Sequence, residues 1–316
     1  MRLPNGGRAL PGVSCTLNGS GGFPEMSWPV IIQFSYPGKT SIVFCNKINA
    51  QDMQDVPVVL GHGWKSHPGI WKKLVPRLSE EEISFWNFDH VAMDDTSLEE
   101  IANGLQHYIN SMREEMGYLG DLDIVCHSMG TCIARYLLEV IDGKEKREKV
   151  RQLIGIGPPN NGSAMAELFN HPDHGPKVIN RLTGVFVPEG YVPADDVIVQ
   201  EFRPGSQTMK TLSRAGLRND IAYRIIISTN LTQTPDLFPQ FKGKTPGLLP
   251  NGTWHLTWEG DGIVTHADSH LPGAEIVILP RDLENFKQYP DHYSHIKMPR
   301  NSEVVEQVIR FLKKYP

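Results

Sequence analysis

The stretch Asp123-Ile124-Val125-Cys126-His127-Ser128-Met129-Gly130-Thr131 decides the fold. Leu122 to Cys126 reads as a buried strand, and Thr131 to Ile141 reads as a helix that stops at Gly143. Ser128 alone carries the chain from one to the other. So sharp a turn forces the serine backbone into a strained conformation and lifts its hydroxyl out at the carboxyl edge of a sheet. Strand and helix nearly touch across the turn, so the residues two before and two after must be small. They are Cys126 and Gly130. Glycine is usual at the first of these positions. Cys126 is small enough to keep the geometry, but it predicts tighter packing. The helix N-terminus beside Ser128 would support a developing negative charge. An ordinary strand-end serine is the plainer alternative, and the surrounding pattern disfavours it.

Working outward, strands and amphipathic helices alternate. Trp28–Ser35 and Ser41–Asn46 are β-rich runs around a Pro37-Gly38 turn signal, which predicts a hairpin. Pro57–Gly61, Ile83–Phe88, Val150–Ile156, Tyr223–Ser228 and Glu275–Leu279 read as further strands. Thr96-Ser97-Leu98-Glu99 reads as a capping box. It opens a helix whose apolar stripe runs through Leu98, Ile101, Leu105, Ile109 and Met112. A last helix starts near Asn301 or Ser302, with Val304, Val305, Val308, Ile309 and Leu312 on one face. This alternation implies a mostly parallel central sheet with helices on both faces. Residues 1–27, rich in Gly, Pro and Ser, read as an extended leader. Residues 28–162 and 219–316 form the core. Residues 163–218 break the rhythm and read as an irregular insertion with scattered apolar residues such as Phe186 and Tyr191.

Composition bounds the rest. The chain has 316 residues, 31 basic and 36 acidic, a formal net charge of -5, and no basic block. The electrostatic footprint of a nucleic-acid binder is therefore missing. The four cysteines (Cys15, Cys45, Cys126 and Cys132) form no CxxC pair. They read as buried or free thiols, with one disulfide left open. No signal peptide and no membrane span are visible, so the expectation is a cytoplasmic protein without a transmembrane segment.

Four motifs in order give the chain its resemblance to the α/β-hydrolases of the lipase/carboxylesterase type. They are Gly61-His62-Gly63-Trp64 after an early strand, the elbow His127-Ser128-Met129-Gly130, Gly157-Pro158-Pro159-Asn160-Asn161-Gly162-Ser163, and Gly260-Asp261-Gly262-Ile263-Val264 followed by a late histidine. The resemblance implies an α/β-hydrolase fold with 163–218 as a lid. It also implies ester hydrolysis by a Ser-His-Asp triad, with no cofactor and a small-molecule or lipid ester as substrate. A thioesterase or lipid acyltransferase would share the triad. A non-catalytic binding protein of this fold would usually lack one member.

A serine hydroxyl needs a base, and the base needs an orienting acid. In this fold the order is serine, acid, histidine. Asp261, between two glycines at a strand end, is the best acid; Glu259 and Asp268 are the fallbacks. His255, His266 and His270 crowd the acid's own loop, which leaves His292 and His295 as bases. In the sequences this chain resembles, the base stands eight residues before the glutamate of the last helix start, as His295 does before Glu303. His295 is therefore favoured over His292. The oxyanion donors are expected to be the backbone N–H groups of Met129 and, by resemblance, Trp64. The Trp64 side chain should also wall the acyl pocket. His62, Gly63 and His127 are expected to contact substrate. Calcium-dependent lipases carry an aspartate two residues after the base, where this chain has Lys297, so no calcium site is inferred. His171-Pro172-Asp173-His174 lacks helical regularity and reads as a solvated loop, so no metal is assigned.

Overall fold

The computed structural model describes residues 56–314 in full, and residues 30–36 and 39–45 as backbone. The leader, Cys15 and the side chain of Cys45 lie outside the described residues. The strands are β1 (Val30–Tyr36), β2 (Lys39–Cys45), β3 (Val58–Gly61), β4 (Phe85–Phe88) and β5 (Leu122–His127), then β6 (Val150–Ile156), β7 (Ala222–Ser228), β8 (Thr245–Leu248), β9 (Trp254–Thr257) and β10 (Glu275–Leu279). Eight of them form one sheet in the order β1-β2-β4-β3-β5-β6-β7-β10. From β4 to β10 every neighbouring pair is parallel. β1 and β2 add an antiparallel hairpin at one edge, with Tyr36 opposite Lys39, where the sequence predicts a turn.

The inner parallel strands β3, β5, β6 and β7 are buried on both faces, which is why they read as largely apolar runs rather than alternating ones, whereas β10 leaves Glu275 and Ile278 exposed. All residues of β3 and β5 are buried. Helices α1 (Leu74–Glu80), α2 (Leu98–Met116) and α3 (Met129–Arg135) follow β3, β4 and β5. The stripe predicted for α2 is buried. Its capping box, however, sits one residue later than the sequence suggests. Ser97 Oγ accepts from the Glu100 N–H at 3.2 Å, and Glu100 accepts from the Ser97 N–H at 2.9 Å. The Thr96 hydroxyl is occupied in the preceding turn, donating to the Met93 carbonyl at 2.8 Å. Beyond Arg135 the helix widens into π-type turns over Tyr136–Asp142 and ends at Gly143, whose φ of 43° suits glycine.

The insertion after β6 is not irregular. It holds four short helices: α4 (Ala164–Phe169), α5 (Gly175–Leu182), α6 (Val197–Glu201) and α7 (Gln207–Ala215). Side-chain caps at Ser163, Asp196 and Ser206 start three of them. With five to nine residues each, they are too short for helical periodicity to register. β8 and β9 form a separate antiparallel hairpin. It is followed by α8 (His266–Ser269), then α9 (Leu283–Gln288), and finally α10 (Ser302–Lys313), capped by Asn301. Among the described residues no helix is long and apolar enough to cross a membrane.

Candidate active site

Ser128 stands between β5 and α3 with φ 53° and ψ -127°, the strained backbone that so sharp a turn requires. Its N–H is anchored to the Ile156 carbonyl of β6 at 2.9 Å. The close approach lies between the start of α3 and the end of β3. A Cβ on Gly130 would stand 2.4 Å from the His62 carbonyl oxygen, and one on Gly61 would stand 2.8 Å from Cys126 Sγ. Gly61 thus has no side chain where Cys126 has one, and that complementarity accommodates the departure at position 126. Cys126 and Cys132 are both free and buried, and burial pushes the Cys132 thiol up to about 12.

Three side chains from distant parts of the chain meet in a line. His295 Nε2 lies 2.9 Å from Ser128 Oγ, and His295 Nδ1 lies 2.7 Å from Asp261 Oδ2. The other carboxylate oxygen of Asp261 accepts from the N–H groups of Ile263 at 3.0 Å and Val264 at 2.7 Å. Asp261 is 2% exposed and His295 6%, so solvent screens this line poorly. Gly157 packs against the pair. A Cβ there would come within 3.0 Å of Asp261 Oδ2 and 3.2 Å of His295 Nδ1, and its φ of 57° favours glycine. That explains the glycine opening the motif after β6, to which sequence reasoning attached no role.

The other candidates fall elsewhere. The ring of His292 stacks on Tyr289 at 5.1 Å, and its carbonyl accepts from Asn301 Nδ2. Glu259 is exposed. Asp268 is buried; its carboxylate accepts from the Ala164 N–H at 3.3 Å, its own N–H donates to Thr265 Oγ1 at 3.0 Å, and burial pushes its carboxyl up to about 6. His171 Nδ1 accepts from the N–H groups of Asp173 and His174, and its ring stacks on that of His174.

His62 does not reach substrate space. It is fully buried, and its Nδ1–H donates to the Gly63 carbonyl at 3.0 Å while Nε2 accepts from the His90 N–H at 3.2 Å. The His90 ring stacks on it at 3.7 Å and donates from Nε2 to the His62 carbonyl at 3.1 Å. Burial holds His90 down at about 3, so it stays neutral. In a trans peptide the N–H opposes the carbonyl, so anchoring the Gly63 carbonyl directs the Trp64 N–H away from the His62 ring. Gly63 itself abuts the elbow; a Cβ there would be 3.0 Å from Ser128 Cβ. The Met129 N–H opens α3 and therefore has no acceptor within the helix. His127 is 6% exposed, and its Nε2–H donates to the His295 carbonyl at 3.0 Å. Burial, reinforced by the neighbouring His295, drives its pKa well down.

Above Ser128 lies a mainly apolar cavity of about 280 Å³. Gly63, Trp64, His127, Met129 and His295 line it from the core, and Met165, Phe169, Phe186, Val199 and Phe202 line it from the insertion. Trp64 packs edge-on to Phe186 and Tyr191, and its Nε1–H donates to Asp196, the cap of α6, at 3.0 Å. Asp196 gave no signal in the sequence beyond its place before a short apolar run.

A mostly parallel sheet with a serine elbow after β5 and an acid and a histidine on later loops is the α/β-hydrolase fold of lipases and esterases. Solved structures similar to this chain share that fold. Mature lipase BlEst2 from Bacillus licheniformis aligns over 83% of this chain and 93% of its own, with 15% identity and a TM-score of 0.59. Carboxylesterase CesB from Bacillus subtilis aligns over 92% of both chains, with 10% identity and a TM-score of 0.51. Phospholipase PlaB from Legionella pneumophila aligns over 82% of this chain and 63% of its own, with 14% identity and a TM-score of 0.54. No curated protein sequence matches the chain. The chain belongs to the family described as a domain of unknown function, DUF7379, whose model matches residues 62–229.

Proposed function

We propose that this protein is a serine hydrolase that cleaves carboxylic esters through an acyl-enzyme. The observation that carries the reading is the hydrogen-bonded line Ser128–His295–Asp261 opening into an apolar cavity. His295 Nε2 takes the Ser128 proton as Oγ attacks the ester carbonyl, and then gives it to the departing alcohol. Asp261 fixes the tautomer that leaves Nε2 free and stabilises the imidazolium as it forms. The N–H groups of Met129 and Trp64 hold the oxyanion, and His62 acts as a positioning residue for the Trp64 amide. Water, activated by His295, then releases the acid. The helices of residues 163–218 serve as a lid that roofs the acyl site. A cavity of this size sits near the lower bound of small-molecule sites, roughly 300 Å³, which favours short acyl chains.

A panel of p-nitrophenyl esters from acetate to palmitate tests this. Wild type is expected to hydrolyse the short esters. Ser128→Ala and His295→Ala should abolish turnover, and His292→Ala should retain it. Trp64→Ala should shift the optimum to longer chains. Turnover by no ester in the panel, or loss in His292→Ala but not in His295→Ala, would overturn the assignment.

A further inference from the structure

We propose that the cavity selects esters carrying an anionic group, a carboxylate or a phosphate, and that Arg300 recognises it. The inference rests on the hydrolase reading and adds the substrate's charge.

Acidic residues outnumber basic ones in this chain, 36 to 31. The cavity lining runs the other way: it includes Lys65 and Arg300 and no Asp or Glu. Lys65 already has partners, with its Nζ 3.7 Å from carboxylates of both Asp94 and Asp95. Arg300 makes no ion pair among the described residues, and its Nε is enclosed without a hydrogen-bond partner. That nitrogen is closed to solvent; the terminal guanidinium N–H groups are not among the enclosed atoms, and they are the donors that an anion entering the cavity would meet. The planar fork of arginine matches a carboxylate or a phosphate in a way that a lysine ammonium does not. The apolar wall around it weakens solvent screening and strengthens such a contact.

The position of Arg300 is fixed by its neighbours. It ends the short turn Met298–Arg300, its N–H donating to the Lys297 carbonyl at 2.9 Å. The next residue, Asn301, caps α10 and also donates to the His292 carbonyl at 3.1 Å. His295 and Arg300 therefore sit on one braced segment, with the base at one end and the cation at the other. The carboxylates behind the wall have other partners. Asp261 accepts from His295, Ile263 and Val264, and Asp196 accepts from Trp64 and Val199.

The test compares matched esters by kcat/KM. Mono-4-nitrophenyl glutarate against 4-nitrophenyl butyrate places the charge on the acyl side. Butyryl glycerol 3-phosphate against monobutyrin places it on the alcohol side, as a phosphate. Wild type is expected to prefer the charged member of at least one pair, and the pair preferred identifies where the anion sits. In Arg300→Gln that preference should fall by roughly tenfold to a hundredfold, the size of a charged hydrogen bond, and Arg300→Lys should fall between the two. Fluorophosphonate labelling of each variant reports that its site is assembled, and if Arg300→Gln is not labelled, Arg300→Lys decides. A wild-type enzyme that hydrolyses the neutral esters but prefers them in both pairs would overturn this inference alone. So would a preference unchanged, within about twofold, in the labelled variants. A wild type that hydrolyses none of the four and takes up no fluorophosphonate would instead overturn the hydrolase reading.

Discussion

Asp261 and His295 are joined twice: the His295 backbone N–H donates to the Asp261 carbonyl at 2.9 Å, and its ring Nδ1–H donates to the Asp261 carboxylate at 2.7 Å. The backbone bond fixes the distance between two loops that are 34 residues apart. The side-chain bond then fixes the imidazole tautomer. Asp261→Asn should preserve the first and destroy the second, because an amide can turn its NH2 toward Nδ1 and invert the tautomer. The expected result is a kcat lower by roughly a thousandfold to ten-thousandfold with a near-native thermal melt. Asp268→Asn should lose far less activity. The reverse ranking in steady-state kinetics would move the acid to Asp268.

Gly61 and Cys126 should be energetically coupled. Gly61→Ala places a methyl group within 2.8 Å of Cys126 Sγ and is expected to destabilise by about 1–3 kcal/mol through overpacking. In a Cys126→Gly background the same change should cost less, giving a coupling of about 1–2 kcal/mol in a double-mutant cycle. Urea unfolding of the four proteins measures it, and strict additivity would show that the elbow does not depend on this pair.

Asp268 makes stability depend on pH. Burial raises its carboxyl from 3.8 to about 6 in the folded state. A raised carboxyl favours folding below its unfolded pKa, and that contribution is lost as pH rises through the folded value. Two units correspond to about 3 kcal/mol, lost between pH 4 and pH 6 to 7. The stability difference between wild type and Asp268→Asn should therefore shift toward the variant by about that amount over this range. A difference that stays flat with pH in thermal melts would contradict it.

Much of this architecture is legible in the sequence because the physics is local. A run buried on both faces, a one-residue turn and small flanking residues announce β5, Ser128 and α3 without any distant contact. The strand boundaries at Val150–Ile156 and Glu275–Leu279 fall where apolar runs begin and end. The helices of 163–218 are not legible, since elements of five to nine residues show caps but too few turns for a period. The β8–β9 hairpin is missed for a related reason: β9 is largely exposed, so no buried face imposes a pattern. His62 looks like a substrate contact in sequence because it adjoins Gly63. Its burial and its bond to the Gly63 carbonyl are tertiary facts. Arg300 gives no sequence signal, because its significance lies in what it is not paired with.

Fluorophosphonate labelling tests the central claim most directly, because it requires an assembled nucleophile and base but no knowledge of the natural ester. Wild type should take up one equivalent, with the adduct mapped to the peptide containing Ser128 by mass spectrometry. Ser128→Ala should take up none, and His295→Ala should be slowed by orders of magnitude. No labelling of folded wild-type protein, or labelling that persists undiminished in Ser128→Ala, would contradict the account.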